Sequence, residues 1–223
     1  MDKYYPLMVN IQNKKCVVIG GGKVALRKTK TLLKYGAEVT LVSPVIDEEI
    51  RKLFYENKIE IIERNYEYGD LEGGILAYIA TDNGQVNELV LKESNRKNIL
   101  VNCAKNPEDG DFIIPSSIRK GSLSISIGTD GKSPMLAKKI KEDLELVFND
   151  GYETFIEELG KIRKISIDNI EDIKVRRELF KELVYGPLLD EFMDKNIDNL
   201  EDEMKKVYMK YKVGSNTKMH RKR

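Results

Sequence analysis

The sequence predicts an α/β fold, with a doubly wound parallel sheet in its first half followed by a short segment and a small helical domain. Three observations carry that prediction. Short β-branched runs alternate with helical patterns through residue 115, the rhythm of strands crossed over by helices. The run Cys16-Val17-Val18-Ile19 is continuously apolar and ends in Gly20-Gly21-Gly22, as expected of a parallel strand covered on both faces. After Pro115 the pattern changes, and nearly everything from Ser133 to about Lys212 reads as helix.

Taken in order, Cys16–Ile19 is the first strand. Val24–Tyr35 is a helix whose apolar positions Val24, Ala25, Leu32 and Leu33 alternate with Arg27, Lys28, Lys30 and Lys34. Gly36 stops it, and Glu38–Val42 is the second strand. Asp47–Glu56 reads as helix, Ile59–Glu63 and Gly74–Ala80 as strands, Asn83–Arg96 as helix and Ile99–Cys103 as the fifth strand. Leu123-Ser124-Ile125-Ser126-Ile127 alternates strictly, so one of its faces is covered and the other polar. Ser133-Pro134 opens a helix, with Ser133 as N-cap and Pro134 at the first helical position. Breaks are expected near Asn149-Asp150-Gly151 and at Gly186-Pro187. The domains expected are 1–115, 116–150 and 151–213, with a tail over 214–223 that contains the single histidine, His220.

Lys and Arg number 38 against 37 Asp and Glu, a net charge of +1, so bulk charge points to neither nucleic acid nor a membrane surface as partner. Cys16 and Cys103 each sit in an apolar strand-like run, which favours small buried side chains over a disulfide or metal site. No apolar run approaches the roughly 18 residues of a membrane span, and the first residues have no signal-peptide apolar region. A cytoplasmic protein without a bound metal is expected.

Gly20-Gly21-Gly22-Lys23-Val24-Ala25 fits G-x-G-x-x-(G/A) between a strand and a helix. In a Rossmann-like domain the first glycine permits the tight turn, the second lets backbone approach a pyrophosphate, and the small last residue lets the helix pack on the sheet. Amides at the helix start then face the phosphates, where the helix dipole favours negative charge. At the end of the second strand an acid is expected to hold the ribose. Val42-Ser43-Pro44 stands there instead, with Ser43 able to hydrogen-bond a hydroxyl and Asp47 a few residues on.

The chain resembles the precorrin-2 dehydrogenases of sirohaem synthesis, including the N-terminal module of fused sirohaem synthases. The residues that carry the resemblance are Tyr5-Pro6-Leu7, the stretch from Val18 to Lys28, Ala80-Thr81-Asp82-Asn83 with Val86-Asn87, Val101-Asn102, Phe112 to Ser116 and Gly131 to Ala137. They cover about the first 150 residues in order; beyond Gly151 the match is only to a generic helical region. The resemblance implies a Rossmann-like domain, a dimerisation segment (116–150) and a helical domain, in a homodimer. It also implies oxidation of precorrin-2 to sirohydrochlorin with NAD as hydride acceptor. Cofactor contacts are implied at Gly20, Gly21, Gly22, Lys23 and Val24, near Ser43, Pro44 and Val45, and around Thr81 and Asp82.

One departure stands out. The family's proposed catalytic aspartate falls in a stretch that reads Asn102-Cys103-Ala104-Lys105-Asn106-Pro107 here, with Lys105 at its place. Some members also insert ferrous iron into sirohydrochlorin, a reaction for which that carboxylate is missing. Oxidation depends less on it, because the cofactor carries the hard chemistry. Lys105 can act as a base only if burial or cationic neighbours lower its pKa. One of the acids in the same loop, Glu108, Asp109 or Asp111, is the candidate to replace the carboxylate, Asp111 first among them. A polycarboxylate substrate seeks cations and free amides, and Asn102, Lys132 and Ser133 are candidates to hold it. Lys138, Lys139 and Lys141 fit a solvated helix face equally well. Two other readings stay open: a regulatory domain that senses NAD, and a tetrapyrrole-binding protein without catalysis.

Overall fold

The computed structural model describes residues 4–219, with side chains described through residue 213. The chain divides into two compact units, Met1–Ile114 and Pro115–Arg223.

The first unit is a five-stranded, all-parallel sheet. Its strands are β1 (Lys15–Ile19), β2 (Glu38–Val42), β3 (Ile59–Ile62), β4 (Leu76–Ile79) and β5 (Leu100–Cys103), in the order β3-β2-β1-β4-β5. Three helices cross over between them: α1 (Lys23–Lys34), α2 (Glu48–Tyr55) and α3 (Gly84–Lys97). Alternate residues of each strand feed two cores. Cys16, Val18, Leu41 and Tyr78 lie under Ala25 and Leu32 of α1 and Ile50 of α2. Val17, Ile19, Val42, Ile79 and Val101 lie under Val90 of α3, together with Tyr66 and Leu71. Burial on both faces explains why Cys16 to Ile19 is apolar without alternation. Both cysteines are buried and unpaired, and burial pushes each thiol up to about 11.

One buried and one half-buried charge tie this unit together. Glu93 of α3 accepts from Tyr66 Oη at 2.6 Å and from the Gly69 N–H at 2.7 Å, with Lys97 Nζ 3.1 Å away. Burial alone would raise its pKa, but these donors outweigh burial and hold the carboxyl below its usual range. Lys28 of α1 donates to Asn102 Oδ1 at 2.9 Å and lies 5.5 Å from the centre of the Tyr78 ring. Burial, and secondarily Arg27, lowers its pKa to about 8.

The second unit opens with an antiparallel hairpin, β6 (Ser116–Lys120) and β7 (Leu123–Ile127), followed by α4 (Pro134–Val147). Four further helices follow: α5 (Gly151–Asn169), α6 (Ile173–Tyr185), α7 (Leu188–Met193) and α8 (Leu200–Met219). Their core is Phe155, Ile162, Leu179, Leu183, Leu200, Met204 and Tyr208. The helix breaks expected at 149–151 and 186–187 are present, and so are two unexpected ones. At Ile170 the backbone extends and Asp172 caps α6 by accepting from the Lys174 N–H. After α7, Lys195 has φ +60°, and Asn199 accepts from the Asp202 N–H at the start of α8. Neither break contains glycine or proline, so turn composition did not mark them. β6 was also not expected, because Ser116 to Lys120 lacks clear alternation and is a strand through its pairing with β7. Where a tail was expected from Gly214, α8 continues to Met219; His220 lies outside the described residues.

Candidate functional site

In open parallel sheets, ligands bind outside the carboxyl ends of the strands, at the point where strand order reverses. Here that point lies between β1 and β4, which are adjacent although α1, β2, α2 and β3 separate them in sequence. The loop after β1 is Gly20-Gly21-Gly22, and the loop after β4 holds Thr81 and Asp82.

The three glycines differ in what surrounds them. Gly20 has φ +118°, and a Cβ there would sit 2.3 Å from the Ala80 carbonyl oxygen, so both conformation and space exclude a side chain. At Gly21 a Cβ would lie 2.0 Å from the Val45 carbonyl oxygen. Gly21's own carbonyl accepts from the Asp47 N–H at 2.8 Å, which ties the glycine loop to the one after β2. At Gly22, the extended N-cap of α1, a Cβ would meet nothing within 4 Å. The protein itself therefore does not require glycine there. No side chain caps α1 and no acid lies in its first turn, which holds the exposed Lys23 and Val24. Open space above Gly22 and uncapped amides behind it fit a phosphate-bearing ligand.

Beyond β2, Ser43 is buried and its hydroxyl donates to the Val45 carbonyl at 2.8 Å, while the Val45 N–H approaches the same hydroxyl oxygen at 3.4 Å. Ser43 thus shapes a turn, and Pro44 and Val45 form its exposed lip, with Val45 76% exposed. The Asp47 carboxylate caps α2 by accepting from the Glu49 N–H. Beyond β4, Thr81 Oγ1 accepts from the Asn83 N–H, and Asn83 caps α3.

The candidates after β5 are dispersed by the fold. Asn102 is buried and both ends of its amide are used, accepting from Lys28 Nζ and donating to the Phe112 carbonyl, each at 2.9 Å. It joins α1 to the loop that runs back along the edge of the sheet. Asp111 lies on that edge: its carboxylate accepts from the Val101 N–H at 2.9 Å, pairing a strand that has no neighbour on that side. Lys105 is 66% exposed, with its ammonium 3.4 Å from the Asp82 carboxylate. It is an exposed side chain facing an acid. In the second unit, Ser133 accepts from the Leu136 N–H and so caps α4; Lys132 is exposed just before it. Lys138, Lys139 and Lys141 pair with Glu142, Asp143 and Glu145 one turn on, as on a solvated helix face.

Sequence reading did not find the Lys105–Asp82 pair. The signal was available in strand register: Ile79 pairs with Cys103, so the residues just beyond each strand emerge side by side. Among the described residues no group of three or more His, Cys, Asp and Glu side chains can hold a metal, and no helix is long and apolar enough to cross a membrane.

The parallel order, the glycine loop at the switch point and its uncapped helix define the first unit as a dinucleotide-binding domain of the Rossmann type. A family model described as "Putative NAD(P)-binding" matches residues 7–116, and one described as "Sirohaem biosynthesis protein central" matches residues 120–145. The precorrin-2 dehydrogenase of Bacillus subtilis (strain 168) is 31% identical over 159 residues, covering 71% of this chain and 98% of that protein. The siroheme synthase of Ruthia magnifica subsp. Calyptogena magnifica is 35% identical over 191 residues, covering 84% of this chain and 40% of that protein. The chain thus spans about two fifths of the length of the siroheme synthases it matches. Among solved structures, one titled "SirC, precorrin-2 dehydrogenase" superimposes with a TM-score of 0.75 at 30% identity, over 93% of this chain and 100% of that one. The chain belongs to the precorrin-2 dehydrogenase family.

Proposed function

We propose that this chain oxidises precorrin-2 to sirohydrochlorin with NAD. The observation that carries the reading is the relationship, over nearly the whole of the relative, to a precorrin-2 dehydrogenase. The switch-point loop supports it, being open at Gly22 and closed by protein at Gly20 and Gly21. The residues that would hold the dinucleotide are the backbone of Gly20 to Val24, the lip of Pro44 and Val45, and Thr81. NAD, when bound, supplies the hydride acceptor. The protein's part is to hold the reactants in register and receive a proton.

Lys132, exposed beside the start of α4, would attract the substrate's carboxylates. A homodimer through 116–150 fits the exposed Met135, Leu136, Leu146 and Val147 of α4 and a hairpin of only two strands, which is marginal alone. A cytoplasmic location suits an NAD-linked reaction on a small soluble substrate. Iron insertion is not part of the proposal, since the carboxylate expected at position 105 is a lysine.

The test is anaerobic turnover of precorrin-2 with NAD, following NADH and sirohydrochlorin absorbance. The expected result is equal formation of both products. NADH binding without turnover or tetrapyrrole binding would instead support a sensor, and tetrapyrrole binding without turnover a carrier. Light scattering of the same sample gives the oligomeric state, for which the expected mass is twice 25.6 kDa.

A further inference from the structure

Three strands bring their carboxyl ends to the switch point and its flank: β1, β4 and β5. If the reaction is the oxidation proposed above, on which this inference rests, a group near those ends has to accept a proton. The loop after β1 has no titratable side chain before Lys23. The loops after β4 and β5 hold four acids: Asp82, Glu108, Asp109 and Asp111. Three of them have other tasks. Asp111 pairs the exposed edge of β5, away from its carboxyl end. Asp109 accepts from Asn106 within the 3₁₀ turn Pro107–Asp109. Glu108, in the same turn, also has a partner. Asp82 is different: it caps no helix, accepts no backbone N–H, and its side chain is 93% exposed directly above β4. Among the described residues its one polar contact is the ion pair with Lys105, 3.4 Å away above β5.

We propose that Asp82 is the proton acceptor of the oxidation and that Lys105 is its positioning residue. The location follows from parallel pairing. Ile79 and Cys103 are register partners, so Asp82 and Lys105 leave neighbouring strands at the same end as the glycine loop. Asp82 therefore stands beside the loop that would hold the dinucleotide, where the substrate must meet it. In the oxidation the macrocycle loses two electrons and two hydrogens. One C–H bond gives up hydrogen with its electron pair to the oxidised nicotinamide. A second hydrogen leaves as a proton to the Asp82 carboxylate, the electron pair it leaves behind extends the conjugation, and Asp82 then releases the proton to solvent. Lys105 holds the carboxylate in place, oriented toward the reacting macrocycle's proton.

A carboxylate swap tests this. Asp82→Asn should lower kcat about 10²-fold or more, the usual range for a general base, while fluorescence titration shows NADH affinity within threefold of wild type. The double variant Asp82→Asn/Lys105→Asp puts a carboxylate at the other end of the same 3.4 Å contact and should recover kcat to within about tenfold of wild type. A merely structural role for Asp82 instead predicts that Asp82→Asn costs as much in the Lys105→Asp background as in wild type. An Asp82→Asn variant that keeps a third or more of wild-type kcat overturns the assignment, as does one whose defect is confined to NADH affinity. A double variant no more active than Asp82→Asn also overturns it. A wild type that binds NADH but never turns over precorrin-2 overturns the dehydrogenase reading itself.

Discussion

The β1–α1 loop of the first unit and the α5–α8 bundle of the second place different demands on their residues. In the loop, success or failure is decided by single atoms: the Val45 carbonyl over Gly21, the Ala80 carbonyl over Gly20, and empty space over Gly22. In the bundle, Leu179, Leu183 and Met204 fill a shared interior whose demand is for volume and apolarity. A dinucleotide site needs backbone at a fixed separation from phosphate. A helical core accepts many packings of about the right size. The difference separates residues that the ligand requires from those that the fold requires.

The largest effect should come from Gly21→Ala. The methyl group would sit 2.0 Å from a backbone oxygen in a loop already tied to Asp47, so the loop must move. A loss of roughly 4 kcal/mol is expected by chemical denaturation, at the high end for one substitution, together with loss of measurable NADH binding. Gly22→Ala sharpens the point. It should change stability by no more than about 0.5 kcal/mol while weakening NADH binding at least tenfold by fluorescence titration, because the protein leaves that space empty for the proposed dinucleotide. Unchanged affinity in Gly22→Ala would mean that the dinucleotide does not approach this loop.

Leu183→Ala should cost about 2–5 kcal/mol, read as faster hydrogen exchange in α5, α6 and α8, whereas Leu183→Met should cost less than about 1.5 kcal/mol. If Leu183→Met were as damaging as Leu183→Ala, the bundle would be as demanding of shape as the loop and the contrast would fail.

Glu93→Gln should be milder, costing about 1–3 kcal/mol through the donors left facing a neutral amide. Glu93 has a depressed folded-state pKa, so its contribution is present above the unfolded value of about 4.3 and is lost as pH falls through the lower folded value. An acid titration of stability should therefore be steeper below about pH 4 in wild type than in the variant. Lys28 gives a signal of the same sign at alkaline pH. Its folded value of about 8 lies below the unfolded value of about 10.4, so the unfolded chain binds more protons between them. Stability gains from this group as pH rises through that window, and Lys28→Met should flatten the rise.

Much of the first unit was legible because its signals are local. An apolar run, glycines, a helix with one apolar stripe and a strict order of elements mark each strand from its own residues, and β2 begins and ends where its pattern does. The missed breaks near Ile170 and Lys195 are made by side-chain caps and one left-handed residue, whose signals are short and common in surface helices. The roles of Ser43, Asn102 and Asp111 were not legible for another reason. Each is chemically able to contact a ligand, and whether it does depends on partners that are near only after folding: Val45 for Ser43, Lys28 and Phe112 for Asn102, and the bare edge of β5 for Asp111.

By itself the sequence determined the parallel α/β architecture, the glycine loop after the first strand and the family, since these rest on periodicity and on motifs contiguous along the chain. Only the tertiary structure decided which polar groups stay available for chemistry. A hydrogen bond or ion pair forms between atoms a few ångströms apart, and parallel crossover connections bring together residues far apart in sequence. That is how Asp82 and Lys105 come to face each other, and why no inspection of either loop alone revealed the pair.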